Sequence, residues 1–136
     1  HGAPPTMASL VRVGTLLGRQ PNVPSACLFT FTDRTFAVEV LEAPIPVLVE
    51  FCWWFGTSGH SGAVLDRLAT EVAGRMRIGR LDVCEHGRIP SAFGVLVVPM
   101  LVLFHRGRVV EQLTGLASKP RIVALLRPHL PSQFVA

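Results

Sequence analysis

Three cysteines, Cys27, Cys52 and Cys84, are the residues whose side chains could carry thiol redox chemistry or bind zinc. No two of them have the Cys-x-x-Cys spacing, so neither a local dithiol nor a zinc knuckle can be drawn. An odd number of such residues favours reduced thiols that are buried like small apolar side chains. We therefore expect no metal site and no cofactor.

A second candidate for chemistry is the segment 51–60, which reads Phe-Cys-Trp-Trp-Phe-Gly-Thr-Ser-Gly-His. A glycine-rich loop that opens a helix exposes backbone N–H groups and can hold an anion. The phosphate-loop signature, however, ends in Gly-Lys-Ser/Thr, whereas here His60 follows Gly59. We therefore favour a tight strand-to-helix turn, and we expect at least one of its three consecutive aromatic residues to be exposed.

Hydrophobic periodicity predicts the elements that would position this loop. The predicted strands are 26–31, 46–51, 76–83, 100–104 and 109–113, and the predicted helices are 36–43, 61–73, 87–93 and 119–126. Thr32 and Asp33 are expected to cap the first helix, and residues 105–108 to form a hairpin turn. Alternating strands and helices followed by a hairpin and a last helix indicate an α/β fold with a mixed sheet.

Composition indicates one globular domain, because 49% of the 136 residues are hydrophobic and only 16% are charged. Residues 1–6 are typical of a tag or cloning remnant, 7–25 of an N-terminal extension, 26–130 of the domain and 131–136 of a tail. No apolar run is long enough to span a bilayer and no signal peptide is visible, which predicts a cytoplasmic protein without membrane contact. The net charge of +4 comes from scattered arginines, which argues against nucleic-acid binding.

From about Phe29 to Leu130, this order of elements and several short segments resemble the thioredoxin family. The segments that carry the resemblance are 31–36, 46–51, 81–83, 93–95, 97–104, Gly107, 109–110 and Gly115. The resemblance implies a thioredoxin fold with a mixed sheet of about five strands flanked by helices. It also implies that Pro99 is the family's cis-proline and that Glu50 takes the place of a buried aspartate.

The loop departs from the family where the two redox cysteines belong. In the ungapped register Gly56 and Gly59 occupy those positions, and in a shifted register Phe55 and Ser58 do. Thiol–disulfide exchange needs an attacking thiolate and a second thiol that releases the mixed disulfide. Neither register provides them, so the resemblance implies the fold without its ordinary reaction.

An alternative redox pair follows from the same resemblance. Cys52 takes the place of a family tryptophan and Cys84 that of an aspartate, and those two side chains lie close together beside the active site. A disulfide between them would need Cα atoms about 4.4–6.8 Å apart. Two inert thiols are the competing interpretation.

The sequence thus supports three hypotheses. The first is a redox-inactive protein, an assembly factor or a chaperone-like subunit, that binds a polypeptide partner through the family's groove. The predicted groove consists of Trp53, Trp54, Phe55, Thr57, Ser58, His60, Val98 and Pro99. The alternatives are a thiol–disulfide oxidoreductase that uses Cys52 and Cys84, and a homodimer that buries the aromatic loop in its own interface.

Overall fold

A computed structural model describes residues 27–53 and 59–130, and for residues 59–62 it describes the backbone. The strands are β1 (Leu28–Phe31), β2 (Val47–Cys52), β3 (Arg77–Asp82), β4 (Met100–His105) and β5 (Arg108–Thr114). The helices are α1 (Ala37–Leu41), α2 (Gly59–Glu71), α3 (Arg88–Ala92) and α4 (Lys119–Leu126). The predicted extension 7–25, the predicted tail 131–136 and residues 54–58 of the loop lie outside the described residues.

The five strands form one mixed sheet in the order β1-β3-β2-β4-β5. Strand β3 pairs in parallel with both β1 and β2, whereas β4 is antiparallel to both β2 and β5. The carboxyl ends of β1, β2, β3 and β5 therefore meet the amino end of β4 at a single edge of the sheet. The mixed sheet flanked by helices is the architecture that the sequence predicted. The loops that follow β1, β2, β3 and β5 lie at this edge, together with the loop that precedes β4.

Strand β2 lies at the centre, and all six of its residues are buried. Its continuous apolar run is what a strand covered on both faces requires. Because neighbouring side chains point to opposite faces, Leu48 joins the core that includes Leu65 and Leu68 of α2. Val49 joins a second core on the other face.

The second core is rich in aromatic rings that surround Phe36. The Phe36 ring lies 5.4 Å from that of Phe104, 5.8 Å from Phe93, 6.2 Å from Phe31 and 6.5 Å from Phe51, measured between centroids. Two of these pairs, Phe36 with Phe31 and Phe36 with Phe104, are edge-to-face, which is a favoured arrangement for aromatic side chains. The segment that follows β1 is thereby held firmly against the sheet.

That segment differs from the prediction in its capping. The Thr32 hydroxyl accepts a hydrogen bond from the backbone N–H of Thr35, and the Thr35 hydroxyl accepts one from the N–H of Thr32. The carboxylate of Asp33 instead accepts from the backbone N–H groups of Arg88 and Ile89, at the start of α3. The expectation that Asp33 caps the first helix is therefore wrong, and α1 itself is a short π-helix.

The bounds of α2 differ from the prediction, whereas the predicted hairpin is present. Helix α2 runs from Gly59 to Glu71 instead of 61–73, and Gly74, with φ +86°, lies in the turn that follows it. The predicted hairpin between β4 and β5 is confirmed. Its central residues Arg106 and Gly107 have φ values of 56° and 80°, as a type I′ turn that matches the strand twist requires.

Gly79 of β3 provides a test of this packing. A Cβ atom there would lie 2.5 Å from Cε2 of Phe31 and 2.6 Å from the backbone oxygen of Phe29. Because the neighbouring strand cannot withdraw its backbone, Gly79→Ala is expected to lower the free energy of unfolding by about 2–3 kcal/mol in a urea titration. Gly87→Ala is the matched control, since a Cβ atom at Gly87 would meet no other atom within 4 Å and the φ of this residue is −93°. An equal loss in both variants would contradict the prediction.

Candidate functional site

Three chain segments meet at the sheet edge where β2 ends. Antiparallel pairing of Phe51 with Met100 places the residues that follow β2 beside those that precede β4. The backbone N–H of Gly115, just after β5, donates a hydrogen bond of 2.8 Å to the carbonyl oxygen of Pro99. This bond joins the loop before β4 to the end of β5.

The peptide bond between Val98 and Pro99 is cis, and both residues are half-buried. Trp53 stands directly after β2 with 62% of its surface exposed. Trp54, Phe55, Gly56, Thr57 and Ser58 of the predicted groove lie outside the described residues, and of Gly59 and His60 the backbone is described, in the first turn of α2. The described part of the groove is therefore Trp53 together with Val98 and Pro99.

Further apolar side chains, which the sequence prediction did not include, are exposed at the same edge. Leu96 is 92% exposed, Val97 56% and Leu116 62%. Together with Trp53 they form what we call the apolar edge. Such clustered apolar exposure is uncommon on a globular domain and is typical of an interaction surface. Leu96 and Val97 lie within three residues of Pro99 in the chain, and this proximity was the signal that could have identified them.

Beneath this edge lies a buried ion pair. Glu50 of β2 is 1% exposed, and its Oε1 accepts a hydrogen bond of 2.8 Å from Nε of Arg80 on β3. The two residues are direct partners in the parallel register, which sets both side chains at the same level of the sheet. Sequence reasoning left the partner of Glu50 open. The signal was Arg80, a charged residue placed between Ile78 and Leu81 in the interior of β3.

The cysteines occupy different environments. Cys52 is 1% exposed, and its thiol donates a long hydrogen bond of 3.8 Å to the carbonyl oxygen of Leu81. Cys84 lies in the turn after β3 and is exposed, so the expectation that every cysteine is buried is wrong for Cys84. Cys27, Cys52 and Cys84 are all present as thiols. The redox pair of Cys52 and Cys84 stays a prediction.

In residues 27–53 and 59–130, no three His, Cys, Asp or Glu side chains come together in a way that could hold a metal ion. Over the same residues, no helix combines the length and the apolar character needed to cross a membrane. The described edge combines exposed apolar side chains with the buried carboxylate of Glu50, which is paired with Arg80.

The ion pair leads to a stability prediction. Because both side chains are largely withdrawn from water, removing one partner leaves the other charge uncompensated. Glu50→Gln is expected to lower the free energy of unfolding by about 3 kcal/mol in urea, and Arg80→Gln by a similar amount. In a double-mutant cycle the two losses should be far from additive. Additive losses would show that the two side chains do not act as a pair.

The cysteine environments lead to a second prediction. In the native protein Cys84 should react with Ellman's reagent in a fast phase, and Cys52 only after unfolding, because reaction requires access to the sulfur. Cys84→Ser should remove the fast phase, and Cys52→Ser should leave it in place. Mild oxidation that consumes the Cys52 and Cys84 thiols together would instead support the alternative redox pair.

Comparison with known proteins agrees with this architecture. The family model described as Thioredoxin matches residues 27–128. Thioredoxin 1 of Nostoc sp. is 32% identical over 101 residues, which cover 73% of this chain and 94% of that protein. The thioredoxin of Pseudomonas aeruginosa is 35% identical over 73% of this chain and 93% of its own length. That of Haemophilus influenzae is 33% identical over 72% and 92%. The chain therefore belongs to the thioredoxin family.

Proposed function

We propose that the protein is a redox-inactive member of the thioredoxin family that binds a polypeptide partner at the apolar edge, as an assembly factor or a chaperone-like subunit. The observation that carries the proposal is the exposure of Trp53, Leu96, Val97 and Leu116 around Pro99. The relatives are named thioredoxins, and the difference from a working redox protein lies in the loop that starts at Trp53.

The chemical part of the proposal rests on the sequence of that loop. No cysteine occurs between Cys52 and Cys84, so the segment between β2 and α2 supplies neither an attacking nor a resolving thiol. A glycine or serine in those places has no sulfur with which to form a mixed disulfide. The contact of the Cys52 thiol with the carbonyl oxygen of Leu81, well inside the protein, also argues against its use as a nucleophile.

The binding part rests on the physical character of the surface. Exposed Trp and Leu side chains gain free energy when a partner covers them, at about 25 cal/mol per Å² of apolar area. Tryptophan is also among the residues that most often dominate binding energy at interfaces. The edge is built on the ends of β2, β4 and β5, and it is tied by the hydrogen bond from Gly115 to Pro99. A surface held in this way loses little entropy when it binds.

The test uses a labelled, carboxymethylated polypeptide that cannot fold and has no reactive thiols, with binding followed by fluorescence anisotropy. Trp53→Ala is expected to weaken binding about tenfold or more, the loss typical of truncating a central tryptophan. The matched control is Val38→Ala, because Val38 is 64% exposed but lies on α1, away from the apolar edge. Equal affinities of the two variants would contradict the proposal.

Two readouts separate the other hypotheses. Measurable turnover in an insulin disulfide-reduction assay would contradict a redox-inactive role and favour an oxidoreductase that uses Cys52 and Cys84. Sedimentation at increasing protein concentration tests the homodimer. A dimer that Trp53→Ala dissociates would show that the apolar edge binds a second copy of this chain instead of a different partner.

A further inference from the structure

A concave surface lies along the same edge of the sheet, on the side of β1. It is an open pocket of about 590 Å³ lined by Thr32, Asp33, Arg34, His86 and Arg88. The first three residues follow β1, His86 lies in the loop after β3, and Arg88 is the first residue of α3. The pocket is therefore formed by two loops that end neighbouring strands.

The carboxylate that lines the pocket, that of Asp33, is already occupied. One of its oxygens accepts a hydrogen bond of 3.1 Å from the backbone N–H of Arg88, and the other accepts one of 2.9 Å from that of Ile89. These bonds hold the two loops together and commit both oxygens to the protein itself. Asp33 thus shapes the pocket by binding backbone groups.

The positively charged side chains of the pocket, by contrast, are available to a ligand. Arg34 and Arg88 are exposed, and across residues 27–53 and 59–130 no hydrogen bond or ion pair engages either guanidinium group. His86 stands 3.9 Å from the carboxylate of Glu85, whose side chain is 74% exposed. Two exposed guanidinium groups beside a committed carboxylate make the pocket a place for an anionic group of a ligand.

The distance between the pocket and the apolar edge indicates which class of anionic ligand fits the pocket. Neighbouring strands lie about 4.8 Å apart, and the pocket at the ends of β1 and β3 is roughly two strand spacings from the junction of β2 and β4. That separation is about 10 Å, which an extended chain covers in about three residues. A polypeptide that contacts the apolar edge and runs along the sheet edge would bring its next side chains over the pocket.

We infer that the pocket formed by Arg34, His86 and Arg88 receives acidic side chains of the bound polypeptide. The preferred partner carries aspartate or glutamate about three residues from the apolar residues that contact Trp53. The net charge of +4 acts in the same direction, since it steers acidic partners toward the protein. The inference rests on the proposed function and adds the chemical class of the partner.

The experiment uses two labelled ten-residue peptides that share one apolar half and differ in the other. One carries Glu-Asp-Glu three residues from the apolar half, and the other carries Gln-Asn-Gln. The protein should bind the acidic peptide about fivefold more tightly by fluorescence anisotropy, which is the effect of two solvent-exposed ion pairs. This preference should shrink when the salt concentration is raised to about 1 M.

The double variant Arg34→Gln, Arg88→Gln should lose the preference, and it retains the backbone N–H group that Asp33 requires. The control is Arg108→Gln, Arg121→Gln, which makes the same charge change at exposed positions in β5 and α4 and should keep the preference. Equal losses in both double variants would overturn the inference, because overall charge would then explain the effect.

Two other outcomes separate this inference from the proposed function. If the protein binds both peptides equally and Trp53→Ala weakens both, the inference that the pocket receives acidic side chains is wrong, while polypeptide binding at the apolar edge stands. If neither peptide binds, or if Trp53→Ala leaves the binding unchanged, the proposed function fails and the inference fails with it.

Discussion

The position of strand β2 determines the rest of the arrangement. It is buried on both faces and is hydrogen-bonded to β3 on one side and β4 on the other. Because β3 is parallel to it and β4 antiparallel, the carboxyl end of β2 lies between the carboxyl end of β3 and the amino end of β4. The apolar edge, which includes Trp53, therefore extends from β2 toward β4 and β5, and the pocket lies on the side of β3 and β1, as a consequence of strand order and direction.

The same geometry explains how a charged pair persists in the core. Glu50 and Arg80 are register partners on adjacent strands, so their contact needs no distortion of either backbone. Removing two charges from water is unfavourable, and good geometry offsets that penalty only partly. Once both are buried, however, each side chain keeps the other from being an uncompensated charge. The pair is accordingly part of the fold, whether or not a reaction takes place above it.

Those features that depend on local pattern could be predicted from the sequence. The buried run of β2, the amphipathic period of α2 and the Arg106–Gly107 turn each carry their signal within a few residues. Asp33 was misassigned because its partners Arg88 and Ile89 are more than fifty residues away in the chain. The pocket was missed for the same reason. Its walls come together only when β1 and β3 are paired, and no single-sequence pattern encodes that register.

The buried ion pair and the exposed apolar side chains at this edge differ in what they contribute to folding. Glu50 and Arg80 depend on each other, because either one without the other would destabilise the core. Leu96, at 92% exposure, contributes almost no hydrophobic stabilisation to the fold, and neither does the exposed part of Trp53. Packing among the described residues does not account for large apolar side chains left in water at one edge of the sheet. This exposure is the basis for proposing a partner that covers them, and the exposed guanidinium groups of Arg34 and Arg88 along the same edge are the basis for proposing that this partner also carries negative charge.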